Sequence, residues 1–315
     1  MLLGSPDRGW MWQDADVSRA EAIEHYLRTG HHDPHFPGWS GNLIERERHA
    51  HDDLKRALVD EVARHAVGHR PAIAMPTIDL TAFTRAKVEP LVRGLFPRAE
   101  QETILHVLEN SVVFLTPDRV ESILLGCSWL RTAWDLANLY LGSIEADLLG
   151  EDAPSIVGLS EGTTCFVSLT YFTETNRFAD FLVHEAAHVF HNCKRRTIGL
   201  PGTRYREWLL DVEFRKRETF AYACEVYSRV LELAPKVKDR PGLVEECAAN
   251  FTPGDERVDR DELADILREA ARARNGWKHI LGRCAPPRRE RRAARAAVGM
   301  GSPAAWCSTD TEPSA

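Results

Sequence analysis

A helix-rich α+β fold is expected from three features of the sequence. Apolar residues recur at helical spacing through most of residues 83–281. One island, PSIVGLSEGTTCFVSLTYFTE from residue 154, is instead rich in Val, Ile, Thr, Phe and Tyr. Directly after it comes FLVHEAAHVFHNCKR (181–195), which has two histidines four residues apart. A small sheet, contributed mostly by 155–172, should therefore lie beside the helix that carries these histidines.

The elements follow in chain order. Residues 1–40 read as irregular, with many Trp, His, Pro and Gly, and end in GHHDPHFPGWSGN. A charged helix is expected over 44–66, followed by a connector, RPAIAMPTIDL, broken by two prolines. LVRGLF, ETILHVLENSVVFL and VESILLGCSWLRTAWDLANLYLGSIEADLL all read as helical. Within the last of these, Trp129, Trp134, Leu136 and Tyr140 read as core. Gly158 and Gly162 split the β-rich island into two short strands or a hairpin. Helical spacing returns at Asn176, with breaks at GLPGT (199–203) and ANFTPGD (249–255). The tail, rich in Arg, Ala, Pro and Ser, has little to bury and reads as disordered. The expected organisation is an N-terminal segment 1–70, a main domain 71–284 and a tail 285–315.

Composition narrows the function classes. In 315 residues, 43% are hydrophobic and 28% charged, which suits a soluble protein with a real core. A formal charge of −7 gives no general attraction to nucleic acid or to an anionic membrane, and the tail arginines read as solvated. No apolar run reaches the roughly 18–20 residues of a membrane span, and MLLGSPDRGWMWQD lacks the pattern of a secretory signal. The seven cysteines are odd in number, widely spaced and form no CxxC, so neither a disulfide framework nor a cysteine zinc site is indicated. Cytoplasmic residence is the simplest expectation. HHDPH (31–35) matches no metal-ligand spacing and reads as loop, and there is no GxSxG and no phosphate-binding glycine loop.

The chemistry concentrates in 181–195. Helical residues at i and i+4 lie on one face, so His184 and His188 can offer imidazole nitrogens to one ion with Glu185 beside them. At 100° per residue, Asp180, Phe181, His184, His188 and His191 share one stripe, while Ala179, Leu182, Ala186, Val189 and Cys193 form an apolar back. Together with the strand-like TTCFVSLTYF upstream, HEAAH resembles the HExxH signature of the zincin superfamily of zinc metallopeptidases. The resemblance covers roughly 155–235. The metzincin continuation fails, because His191 and Lys194 stand where glycine and the third histidine would be. A gluzincin-like arrangement takes its third ligand from a later glutamate, and two compete. Glu207 begins EWLLD, with Asp211 four residues on. Glu218 begins ETFAYACEVYSRVLEL, with Ala221 at i+3 and Tyr222 and Glu225 on its stripe. Glu218 is favoured, because Ala221 leaves space beside it.

The resemblance implies Zn²⁺ held by His184, His188 and Glu218, with a fourth position open to water. It also implies Glu185 as general base in the cleavage of a peptide or protein substrate. Tyr222, Tyr205 and Arg204 are candidates to stabilise the oxyanion. Asp180 can orient an imidazole, although an exposed position on the helix surface is the simpler reading. His191 reads as a polar lining residue. The alternative function is a non-catalytic zincin-like binding or regulatory domain with a structural metal.

Overall fold

Two capping boxes shape the N-terminal region. Ser18 and Glu21 close one at the start of α1 (Arg19–Thr29), and Asn42 and Glu45 close another at the start of α2 (Leu43–His65). A computed structural model describes residues 18–287 apart from 155, 204 and 205. Expectations placed on the first 17 residues, on Arg204 and Tyr205, on Cys307 and on the tail from 288 lie outside those residues. The helix α1 corrects the reading of 1–40 as irregular. Gly30 ends it with the left-handed backbone (φ 69°) that glycine adopts without strain.

Next come α3 (Leu80–Leu95), α4 (Arg98–Glu109), β1 (Val112–Leu115), α5 (Val120–Gly126) and α6 (Leu130–Ser143). The strand β1 is a second correction, since VVFL was read as helical. Trp129 is a third. It precedes α6 as its cap, in extended conformation, and is 68% exposed, whereas Trp134, Leu136 and Tyr140 are core as expected.

The β-rich island folds as the expected hairpin, β2 (Gly158–Glu161) and β3 (Thr164–Ser168), turning at Gly162 with φ 61°. The sheet order is β1-β3-β2. β1 runs parallel to β3 with Val112 opposite Cys165, and β2 runs antiparallel with Gly158 opposite Val167. Alternate residues of a strand face opposite sides, so this sheet separates two cores. Val112, Phe114, Cys165 and Val167 join the core built by α3, α4 and the C-terminal helices. Leu115 and Phe166 join the one built by α1, α2, α5 and α6. In the second core the Tyr26 hydroxyl donates to the Leu130 carbonyl at 2.7 Å, and the Trp134 indole donates to that of Leu27 at 2.8 Å.

The chain then forms α7 (Phe181–Asn192), α8 (Arg217–Leu233), α9 (Arg240–Asn250), α10 (Arg260–Arg272) and α11 (Gly276–Cys284). The described residues of 199–213 form no α-helix, which corrects the expectation of helical spacing directly after the break at 199–203, and EWLLD is not helical. α7 packs on β2, β3 and α8. The β-rich segment and the histidine helix are therefore neighbours, as expected. No helix among the described residues is long and apolar enough to cross a membrane.

Candidate metal centre

α7 and α8 carry the site between them. Asp180 caps α7, its carboxylate accepting from the Val183 N–H at 3.3 Å. One turn in, His184 and His188 project towards the first turn of α8, where Glu218 stands. The two Nε2 atoms are 3.2 Å apart, and Glu218 Oε2 lies 3.7 Å from that of His184 and 3.5 Å from that of His188. Among the described residues this is the group that could hold a metal ion. Glu207, by contrast, is 56% exposed and paired with Lys194 at 2.8 Å.

The donor set fits a metal in both size and chemistry. Ligand atoms about 2.1 Å from a tetrahedral ion stand about 3.4 Å from one another, which matches the triangle of 3.2, 3.5 and 3.7 Å. The His184 Nδ1–H donates to Glu225 Oε2 at 2.9 Å, and the His188 Nδ1–H donates to His191 Nε2 at 3.1 Å. Each ring therefore turns an Nε2 lone pair towards the other and towards a carboxylate. Three acceptors converging in this way require positive charge between them. The same surplus governs proton affinity. Burial works against a charged His184, but the Glu218 and Glu225 carboxylates outweigh it and lift the imidazole to about 10. Burial likewise opposes ionisation of Glu218, and the two imidazoles override it and pull the carboxyl well below the usual range.

The surroundings of the triangle are buried and ordered. Glu225, 3% exposed, also accepts the Asp180 backbone N–H at 2.8 Å through Oε1. Asp180 is itself buried, which corrects the expectation of an exposed aspartate. It pairs with Lys87 at 2.9 Å and accepts from the Tyr171 hydroxyl at 3.3 Å. It thus supports His184 through its backbone and Glu225 rather than by touching an imidazole. His191 goes beyond lining: it accepts from His188 and donates through Nδ1 to Asn192 Oδ1 at 3.1 Å. Burial, with His188 and Arg217 nearby, lowers its pKa to about 3, which keeps it neutral.

Glu185 is 6% exposed, and its carboxylate has no hydrogen-bond or ion-pair partner among the described residues. Burial raises its pKa, against the pull of His188 and His184. It lies against Gly158, the first residue of β2, where a Cβ would come within 2.7 Å of Oε1. Glu185 thus faces an edge strand that approaches its side chain closely at a glycine. Tyr222 packs its ring against His184, with centroids 4.5 Å apart. Its oxygen accepts from the Gly254 N–H at 2.9 Å, which leaves its own hydrogen to donate. No protein-family model, no curated protein and no solved structure matches the chain.

Sequence reasoning gave no role at the site to three contributors. Glu225 follows Glu218 by seven residues, two helical turns, so its place on the same stripe was the signal. Gly158 was read only as a break in the strand pattern. Arg257, which pairs with Asp255 at 2.9 Å and lies 3.5 Å from Glu218 Oε1, sits in a loop with no motif to mark it.

Proposed function

We propose that the protein is a zinc-dependent hydrolase of the zincin type, a metallopeptidase cleaving peptide bonds in a peptide or protein substrate. The observation that carries this reading is Glu185, adjacent in sequence to His184 of the His184, His188 and Glu218 triangle, only 6% exposed and with a carboxylate that enters no hydrogen bond or ion pair among the described residues. A purely structural site has no use for a base held there against the cost of burial. Zinc rather than a harder ion suits two imidazoles and one carboxylate. Bound there, it would acidify water and polarise a carbonyl.

The chain's own residues do the rest. Glu185, with its pKa raised by burial, takes a proton from water and returns it to the leaving amine. Glu225 and His191 hold the two imidazoles with Nε2 forward. The Tyr222 hydroxyl supplies a hydrogen bond to developing negative charge. The free edge of β2 offers backbone groups to an extended substrate. Cytoplasmic residence belongs to the same proposal, since Cys127, Cys165, Cys193, Cys224, Cys247 and Cys284 are buried free thiols.

The test is zinc content by elemental analysis together with cleavage of a peptide library. Glu185→Gln should keep zinc and lose about 10²–10⁴ in rate. Glu218→Ala should lose zinc, whereas Glu207→Ala should keep it. Zinc-loaded wild type that cleaves nothing would instead support a binding domain with a structural metal. Wild type that takes up no zinc would end both readings.

A further inference from the structure

Arg217 immediately precedes the proposed ligand Glu218 at the start of α8 and is partly exposed. Its Nη1 donates to Asn192 Oδ1 at 3.5 Å. Asn192 is bonded to His191, and His191 to His188. Three contacts thus connect this guanidinium to one of the proposed zinc ligands.

The guanidinium is under-used. It offers five N–H donors, and among the described residues only that one long bond engages it. Its Nε is shielded from water and has no partner. No carboxylate of the described residues pairs with it, although Asp and Glu outnumber Lys and Arg in the sequence by 47 to 40. Arg257, 3.5 Å from Glu218 Oε1, is held by Asp255. Arg217 instead lies over the ring of Phe214, 5.1 Å from guanidinium carbon to centroid, and that ring is 76% exposed. A guanidinium over an aromatic face is held by cation–π attraction, and its remaining Nη donors can receive a carboxylate.

We infer that Arg217, backed by Phe214, binds a carboxylate of the substrate, so that the site acts on acidic peptides. This rests on the hydrolase reading given above. Two sources share that chemistry, an Asp or Glu side chain near the scissile bond and a free C-terminal carboxylate. A purely structural role is the competitor, because a cation near the last turn of α7 also complements the helix dipole.

The experiment compares wild type, Arg217→Gln and Arg217→Lys, all zinc-loaded, on matched peptides. One set replaces Asp and Glu by Asn and Gln, and the other replaces the C-terminal acid by an amide. The readout is the ratio of kcat/KM for the charged over the neutral member of each pair. Wild type should favour the charged member by about tenfold or more in one set, which identifies the source. Arg217→Gln should abolish that ratio, and Arg217→Lys, which keeps the charge but loses the fork, should retain part of it. Fluorescence anisotropy of the same peptides on zinc-loaded Glu185→Gln, with and without Arg217→Gln, reads binding alone. If wild type cleaves nothing but anisotropy shows a carboxylate preference that Arg217→Gln removes, the inference stands while the hydrolase reading falls. No preference in wild type, or a preference unchanged in Arg217→Gln, overturns it.

Discussion

The Glu225 carboxylate bridges two helices: one oxygen lies 2.9 Å from His184 Nδ1, and the other receives the backbone N–H of Asp180 at 2.8 Å. The residue that aims the imidazole thus also fixes where α7 begins. Glu225→Ala should lower zinc affinity about 10–100-fold, the usual scale for a carboxylate behind a metal-bound histidine. Competition against a chromophoric chelator measures this directly. Unchanged affinity would show that His184 needs no such support.

Gly158→Ala tests the approach of β2 to Glu185. The added methyl carbon would lie 2.7 Å from Oε1 and 2.8 Å from Cγ, so strand or glutamate must move. Overpacking of this kind costs about 1–3 kcal/mol. The expected result is zinc retained, a lower midpoint in urea and a fall in kcat larger than any change in KM. Full activity with wild-type stability would show that the contact gives way freely.

How much of this was legible in the sequence depended on whether a signal was local. HEAAH, the hairpin around Gly162 and Glu218 all carry their evidence within a few residues. β1 does not. Its four apolar residues satisfy either period, and the partner that makes them a strand, β3, lies some fifty residues further on, from Val112 to Cys165. α1 failed for the opposite reason: its signal, Ser18 with Glu21, was present but surrounded by Trp, His and Pro. Trp129 and Asp180 were misread because each stands just before a helix, where counting by 100° does not apply. The chain from His188 through His191 and Asn192 to Arg217 requires two elements to be docked before it exists.

Phe190 and Trp129 give a stability test of the packing. Phe190 is fully buried and meets Phe96 edge to face, with centroids 5.0 Å apart. Phe190→Ala should cost about 3–5 kcal/mol. Trp129→Ala, at an exposed position, should stay within about 0.5 kcal/mol of wild type. Denaturant titration of both variants checks the contrast, and comparable losses would place Trp129 in a core after all.

The histidines of the N-terminal layer predict a sign for the pH dependence. His32 stacks on Phe36, with centroids 5.3 Å apart, and His51 meets the same ring. Burial lowers the pKa of both. His51 and His31 add to this at His32, and Lys55 adds to it at His51, while Asp33 opposes it at His32 and Glu47 and Asp52 oppose it at His51. The unfolded chain therefore takes up more protons below the ordinary value of 6.5. Stability present above pH 6.5 is lost as the pH falls from there towards the folded values. Urea midpoints at pH 7.5 and 5.5 should separate less in His51→Gln than in wild type. An equal separation would remove these imidazoles from the account.

Asp180 as the cap of α7, Glu185 and His191 within α7, and Glu225 on the packed helix α8 are all buried. Apolar residues of similar volume that replaced these groups together with their buried partners would often cost nothing in stability, or bring a gain. A sequence library propagated only for expression and heat resistance should therefore drift at these four positions before it drifts in the surrounding apolar core. It would arrive at a sturdier fold that is chemically inert. The persistence of ionisable side chains there, in any descendant of this sequence, would record selection on what the helices do rather than on whether they fold.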